Sequence, residues 1–355
     1  MKTITDRIPC PIWSSRAFSL YFDRNDLAVF DIETTGLSPE RGRLILSGIL
    51  LPDADGVRTI QYFAESPEDE PEVIRNTLDV LRSRHTVLTY NGRSFDIPFL
   101  LRRAKHLGMF PEKMRPGSAL PVYDLDLLLI LRNFSELRNV LPSLSQKEVE
   151  RYFGIAPERE DQIDGGISIE LYQRYLISKD PELERQILLH NHDDIVQLYR
   201  LLPILRSVRL HEAMFAMGFP AEDSIVRSLK IRKNALEASC RFFAADADYY
   251  VFPTETSPYQ LKLIADQNLL TIRFPMEQVS PDLWTIDAER ILESLAPFSD
   301  PLPEGIAELP EFQSGYLITR QGKKIHHAGC ALFVQTFLNG FAKKIKQEPS
   351  PVPLI

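Results

Sequence analysis

Three short segments place acidic side chains where the neighbouring residues are apolar. Asp31 and Glu33 stand one residue apart at the end of LAVFDIE (27–33), a run rich in Val, Ile and Phe that reads as a buried strand. Residues i and i+2 of a strand point to the same side, so these two carboxylates converge. Two anions held that close need protons, cationic partners or a metal. Mg²⁺ prefers oxygen ligands and commonly bridges carboxylates to substrate phosphates. The chemistry suggested is therefore metal-assisted work on a phosphate ester; a solvated strand end at a sheet rim is the plain alternative. Asp96, in NGRSFDIPF (91–99), sits among Phe95, Ile97 and Phe99 at the start of a helix, where a capping Asp is common. The third segment, HNHDDIVQLY (190–199), carries His190, Asp193 and Asp194 on a long helix.

The elements that must position these groups can be read from periodicity. RLILSGILL (43–51) and VRTIQYFAE (57–65) read as a second and third strand separated by the turn PDADG. SPEDEPEVIRNTLDVLRS (66–83) has Ser66 before Glu, Pro and a 3.6-period apolar stripe, which predicts a helix. HTVLTYNG (85–92) is a short strand, 95–108 a helix, and VYDLDLLLILRN (122–133) a strand edge running into a helix. From Leu144 to about Leu205 the period is helical, with a turn expected around DGG (164–166). Three strands followed by helix, strand and helices predict an α/β layer with a mixed sheet. An irregular N-terminal arm (1–26) would precede this domain (27–207), and a smaller α+β domain (208–355) would follow it. That second domain shows short strands at 235–243, 248–252, 268–274 and 316–320, then an amphipathic helix at 329–346.

Composition excludes several classes. The 355 residues are 44% hydrophobic and 25% charged, an ordinary globular balance with ample core material. Lys and Arg number 41 against 49 Asp and Glu, giving a formal net charge of −8. That excludes nucleic-acid coating through bulk charge but leaves room for a local basic patch. Cys10, Cys240 and Cys330 are too scattered for a disulfide framework or a zinc cluster. No apolar run approaches the roughly 18 residues of a membrane span, and no signal core opens the chain. A soluble, reduced, cytoplasmic protein without a membrane partner is expected.

Taken together, Asp31-Ile-Glu33-Thr34-Thr35-Gly36-Leu37, Asn91-Gly92-x-x-Phe95-Asp96 and His190-x-x-x-Asp194 resemble the three motifs of the DEDD (DnaQ-like) superfamily of 3′–5′ exonucleases. That superfamily has a ribonuclease H-like fold, and the resemblance covers roughly residues 25–205. Within it, Tyr123-Asp124-Leu125-Asp126-Leu127-Leu128, SLSQKEVERYFGI (143–155) and DGGISIELYQRYL (164–176) look like the YprB-like branch of predicted exonucleases. The resemblance implies that Asp31, Glu33, Asp96 and Asp194 hold two Mg²⁺ or Mn²⁺ ions. It implies that Thr34, Thr35, Gly36 and Leu37 approach the terminal nucleotide of a single-stranded 3′ end, DNA or RNA. There Gly36 would admit backbone near the sugar and Leu37 would pack on the base, while Asn91 and Phe95 would line the same cleft.

His190 stands where the superfamily places a Tyr or His that prepares the attacking water, work suited to a group that titrates near neutrality. The spacing departs from the usual pattern: a His occupies the tyrosine position, and Leu189 falls where the histidine version would need its base. His192 and His211 read as structural. Asp126 reads as a helix cap and Asp124 as a neighbour of the acids. Lys147, Arg102 and Arg103 are candidate phosphate contacts. The segment 313–347 carries Arg320, Lys323, Lys324, Lys343, Lys344 and Lys346 without an acid, and would offer a phosphate-binding surface or a solvated helix end.

A helical wheel separates the adjacent acids. With His190 at zero, Asp194 falls at about 40°, inside the apolar arc, and Asp193 at about 300°, beside Arg200. Asp194 is thus expected inward, in the site, and Asp193 in solvent. The expected function is a metal-dependent phosphodiester hydrolase; the rivals are a nucleic-acid-binding protein using the fold without turnover and a small-nucleotide phosphodiesterase.

Overall fold

The computed structural model describes residues 1–155, 165–298, 306 and 308–347. The chain divides into two compact units, one of residues 1–114 and 119–209, the other of 115–118 and 210–355.

The first unit is built on a six-stranded sheet. Its strands are β1 (Lys2–Ile8), β2 (Leu27–Thr34), β3 (Leu44–Asp53), β4 (Gly56–Phe63), β5 (Thr86–Thr89) and β6 (Tyr123–Asp126). They lie in the order β1-β4-β3-β2-β5-β6. The pairs β1–β4, β4–β3 and β3–β2 are antiparallel, and β2–β5 and β5–β6 are parallel. A parallel neighbour needs a crossover, supplied here by α1 (Glu70–Arg82) before β5 and α2 (Asp96–His106) before β6. Then come α3 (Leu127–Phe134), α4 (Gln146–Tyr152), α5 (Gly165–Ser178) and α6 (Pro181–Arg200).

Both faces of this sheet are covered, which is why its strands read as nearly continuous apolar runs. Ala28, Phe30 and Ile32 of β2 pack with Val73, Ile74 and Leu78 of α1 and Phe99 and Leu100 of α2. Ile45, Leu46 and Phe63 pack with Leu171, Tyr172 and Tyr175 of α5 and Leu183 and Ile187 of α6. Strand alternation then dictates the site. With Phe30 and Ile32 facing α1 and α2, Asp31 and Glu33 must face the α6 side.

Three expectations are corrected here. The N-terminal arm is not irregular throughout: Lys2–Ile8 form an edge strand in register with β4, Lys2 opposite Phe63 and Ile8 opposite Val57. This strand alternates weakly and is largely exposed, so hydrophobic patterning carries no trace of it. Gly165 and Gly166 of the expected DGG turn open α5, while Asp164 lies outside the described residues. Arg103, a candidate phosphate contact, is buried, with its Nη2 at 2.5 Å from Glu70 Oε2 and its Nε at 2.7 Å from Oε1. Arg102 is exposed, at 4.0 Å from Glu40.

The second unit holds a six-stranded antiparallel sheet ordered β10-β11-β12-β9-β8-β7. Its strands are β7 (Phe219–Ala221), β8 (Ser224–Arg232), β9 (Ala235–Phe242), β10 (Tyr249–Val251), β11 (Gln260–Ile264) and β12 (Leu269–Pro275). A further small sheet includes β13 (Glu277–Ser280), β14 (Leu283–Asp287), β15 (Phe312–Gln313), β16 (Tyr316–Gln321) and β17 (Lys324–Ile325). Beside α7 (Leu210–Met217) the last helix, α8 (His327–Gln347), packs Phe333, Phe337 and Phe341 edge-on or tilted against Phe274, Tyr259 and Phe242. The cations of 313–347 do not form one free array. Arg320 lies over the Trp284 ring, and Lys346 pairs with Asp223 at 2.5 Å, while Lys323 and Lys324 sit at the β16–β17 turn. Among the described residues, no helix is long and apolar enough to cross a membrane.

Candidate active site

The site forms at the C-terminal ends of the adjacent parallel strands β2 and β5, with α6 packed across β2 and β3. β2 delivers Asp31 and Glu33, and α6 delivers His190 and Asp194 one turn apart on one face. His190 Nε2 stands 3.5 Å from Glu33 Oε1 and 3.6 Å from Asp194 Oδ2. One donor atom from each of Glu33, His190 and Asp194 lies within 4.8 Å of the other two, close enough to share one cation. Asp96 opens α2, is buried, and accepts a hydrogen bond from the Ile32 backbone N–H.

The electrostatics show how tightly the acids are gathered. Burial, then the charges of Asp96, Asp194 and Glu33, raise the pKa of Asp31 well above the ordinary carboxylate range. Burial, with Asp124 and Asp126 nearby, raises Asp96 to about 8. Burial raises Asp124 to about 7, against the Thr89 hydroxyl that donates to it at 2.7 Å. The other oxygen of Asp124 is buried with no hydrogen-bond partner among the described residues. Such a set of carboxyls is incomplete by itself; protons or a divalent cation must neutralise it. The carboxylate-rich donor set fits Mg²⁺ or Mn²⁺, with the His190 imidazole beside it.

A stability prediction follows from these shifts. Each raised carboxyl holds its proton more firmly in the folded chain than in the unfolded one. Metal-free stability should therefore be greatest at acid pH and fall as pH climbs from about 4 through about 8. Melting scans without metal should show a decline on the order of 5 °C between pH 5 and 8, and saturating Mn²⁺ should largely abolish it. A metal-free melting temperature that rises across this window would contradict the assignment.

Asn191 is a residue the sequence reading missed. It is fully buried beside His190, and its Nδ2 donates to Asp31 Oδ2 at 2.8 Å. Its Oδ1 accepts from Gln61 Nε2 at 2.9 Å, and the same Gln61 nitrogen donates to the Leu188 carbonyl at 2.8 Å. Gly48, opposite Asp31 in the β2–β3 ladder, makes room for this amide: a Cβ there would lie 2.1 Å from Asn191 Oδ1. A lone Gly inside the apolar strand RLILSGILL was the available signal, since such a Gly marks a close approach. Gly48→Ala should displace the amide and lower metal-dependent activity by about 10–100-fold while the fold persists. Activity assays beside circular dichroism check this, and unchanged activity would mean the Asn191 bridge does not position Asp31.

The remaining sequence candidates are placed as follows. Thr34 Oγ1 donates to the Gly36 carbonyl at 2.9 Å, and the Arg43 N–H donates to Thr35 Oγ1 at 2.8 Å, so both threonines shape the turn after β2. Gly36 has open space where a Cβ would project, and Leu37 is 83% exposed, a large apolar side chain standing clear of the protein. Asn91 has a left-handed backbone (φ 71°), and its N–H donates to Asp126 Oδ1 at 3.0 Å. Asp126 also accepts from Arg93 N at 3.2 Å and caps α3 through Leu129 N, so it fixes the loop leading to Asp96. Phe95 packs on the core with its ring centroid 5.5 Å from that of Phe99. Lys147 lies on α4, whose Gln146 donates to the Asp194 carbonyl at 2.9 Å.

Asp194 stands with Glu33 and His190, but Asp193, expected in solvent, is the more deeply buried of the two acids. Asp193 is buried, 5% exposed, and lies 3.9 Å from His192 Nδ1. From His190 onward α6 is buried on nearly every side, because N-terminal residues lie along it: Tyr199 Oη accepts from Trp13 N, and His192 approaches Asp6 at 3.9 Å. Hydrophobic periodicity registers only the apolar face, so a polar residue buried by tertiary contacts escapes it.

A family model described as RNase_H superfamily matches residues 28–206, half of the chain and most of the first unit. The chain belongs to the RNase H superfamily. An "Uncharacterized protein YprB" of Bacillus subtilis (strain 168) is 28% identical over 230 residues, 61% of this chain and 53% of that protein. A "DNA polymerase" of Pyrococcus glycovorans is 35% identical over 103 residues, 26% of this chain and 13% of the polymerase. This RNase H superfamily member thus spans about half, or much less, of the curated relatives it matches. The family B DNA polymerase structure from Pyrobaculum calidifontis covers 90% of this chain and 45% of its own, with 17% identity and a TM-score of 0.40. The mixed sheet flanked by helices is the fold expected of an RNase H-like nuclease domain, and nucleases of this kind use divalent metals.

Proposed function

We propose that this RNase H-like protein is a divalent-metal-dependent 3′–5′ exonuclease that hydrolyses phosphodiester bonds of DNA or RNA. The convergence of Glu33, His190 and Asp194 within 4.8 Å, with Asp31 and Asp96 pressed against them electrostatically, carries the reading. In this proposal Asp31, Glu33, Asp96 and Asp194 would hold two Mg²⁺ or Mn²⁺ ions, which would supply charge stabilisation for the oxygens of a phosphodiester undergoing hydrolysis. The four carboxylates are carried on packed strand and helix backbones, which limits how far each can move.

His190 acts as the proton acceptor for the attacking water through Nε2, oriented between Glu33 Oε1 and Asp194 Oδ2. The Thr34–Leu37 turn receives the terminal nucleotide, with the open side of Gly36 against the sugar and exposed Leu37 against the base. Asn91 and Phe95 line the approach, and Lys147 meets a phosphate. End-labelled DNA and RNA oligonucleotides incubated with Mg²⁺ or Mn²⁺ test the proposal. A ladder shortening from the 3′ end is expected; polymer binding without products, or turnover of mononucleotides alone, would overturn it.

A further inference from the structure

One face of the six-stranded sheet in the second unit carries a dense and nearly one-signed charge. Strand register brings together Lys230 of β8, Glu237 of β9, Arg273 of β12 and Gln260 of β11 as one row across the sheet. The next row is Ser228, Ser239, Thr271 and Lys262, ending on Tyr250 of the edge strand β10. Alternation sends the intervening residues, among them Leu236, Ala238, Ile272 and Leu261, to the buried side. The two rows border a concavity of about 370 Å³, also lined by Arg232.

The chemistry of this face is specific. Lys230, Arg232, Lys262 and Arg273 are exposed around it, and Glu237 is the one carboxylate lining it, 3.7 Å from Arg232 Nε. Arg241 continues the same face along β9, where Arg227 of β8 further lowers the pKa that burial has already depressed. Gathering cations on a chain of net charge −8 opposes the overall composition and creates a local field for an anion. Between the cations, Ser228, Ser239 and Thr271 offer hydroxyls suited to phosphate oxygens. At the edge, Tyr250 is 49% exposed and Phe252, two residues on, is 70% exposed. Cations spread over neighbouring strands match a repeating polyanion, and exposed rings beside them match unpaired bases, which stack on any aromatic face. The Tyr250 hydroxyl donates to Asp248 Oδ2 at 3.4 Å.

We propose that this sheet face binds single-stranded nucleic acid, its phosphates along the Lys230–Arg273–Lys262 rows and one or two bases on Tyr250 and Phe252. The inference deepens the nuclease reading by naming a substrate-holding surface, and its test is separable from that reading. The test titrates fluorescent dT20 and U20 with the full chain in chelator, which halts any hydrolysis, across a salt series. Lys230→Gln/Lys262→Gln/Arg273→Gln should raise Kd by about tenfold or more and flatten the log–log salt slope by about 2, at roughly 0.7 per lost phosphate contact. Tyr250→Ala/Phe252→Ala should weaken binding severalfold and leave the salt slope unchanged. Circular dichroism melting of each variant, and a Lys262→Glu single change, separate lost binding from lost folding. Unchanged Kd and slope in folded variants would overturn the proposal, as would binding to phosphatidylserine vesicles, but to neither oligonucleotide, that these changes abolish. Hydrolysis by the unaltered chain with Mn²⁺ is scored separately: oligonucleotide binding lost in the variants without any parental hydrolysis upholds the sheet and fails the nuclease.

Discussion

Asp31→Asn should reduce divalent-metal-dependent phosphodiester hydrolysis by at least about 10²–10³-fold while the folded structure persists. Burial and the charges of Asp96, Asp194 and Glu33 together raise the pKa of this carboxyl well above the ordinary range. Asparagine keeps its shape but removes the charge that a cation needs. The same change relieves repulsion in the metal-free site, so metal-free melting temperature at pH 8 should hold or rise while activity collapses. This opposition distinguishes a site residue from a structural one, since a structural carboxylate would lose both together. Full activity in Asp31→Asn, or activity that survives excess EDTA, would refute the metal-dependent nuclease.

Asp194→Asn and Asp193→Asn form the second comparison, and a large difference is expected between neighbours. Asp194 lies 3.6 Å from His190 Nε2 inside the cluster, and Asp193 lies beside His192 on another side of α6. Under saturating Mn²⁺, Asp194→Asn should lose nearly all hydrolysis and Asp193→Asn should keep most of it. Because Asp193 is buried, its change should appear in stability instead, lowering the melting temperature by a few degrees, in line with a cost of about 1 kcal/mol for a disturbed buried polar group. The assignment is falsified if Asp193→Asn is the inactive variant.

Much of the first unit was legible because its elements obey local rules. Strand β2 reads as apolar and ends in acids, and the i, i+2 rule alone turns Asp31 and Glu33 to one side. Helix α1 announces itself by Ser66, acids and proline in its first turns and a 3.6-period stripe. The i, i+4 spacing places His190 above Asp194 on one helix face without any tertiary knowledge. Elements without such patterning were missed: edge strand β1, and strands β8 and β11, whose alternating cations resemble ordinary surface charge.

Sequence by itself determined which acids exist and which pairs share a side, Asp31 with Glu33 on a strand and His190 with Asp194 on a helix. Tertiary structure decided what lies opposite them. Only the β2–β3 pairing register sets Gly48 opposite Asp31, and only the packing of α6 on that sheet puts Asn191 where a Cβ on Gly48 would project, tying α6 to β2. Tertiary packing also buries Asp193, and only strand pairing gathers Lys230, Lys262 and Arg273 from three separate segments onto one face. The division has one physical cause. Backbone geometry fixes the direction of neighbouring side chains within a strand or helix, whereas contacts between distant segments depend on register and burial that the hydrophobic effect, being non-directional, does not write into any single segment.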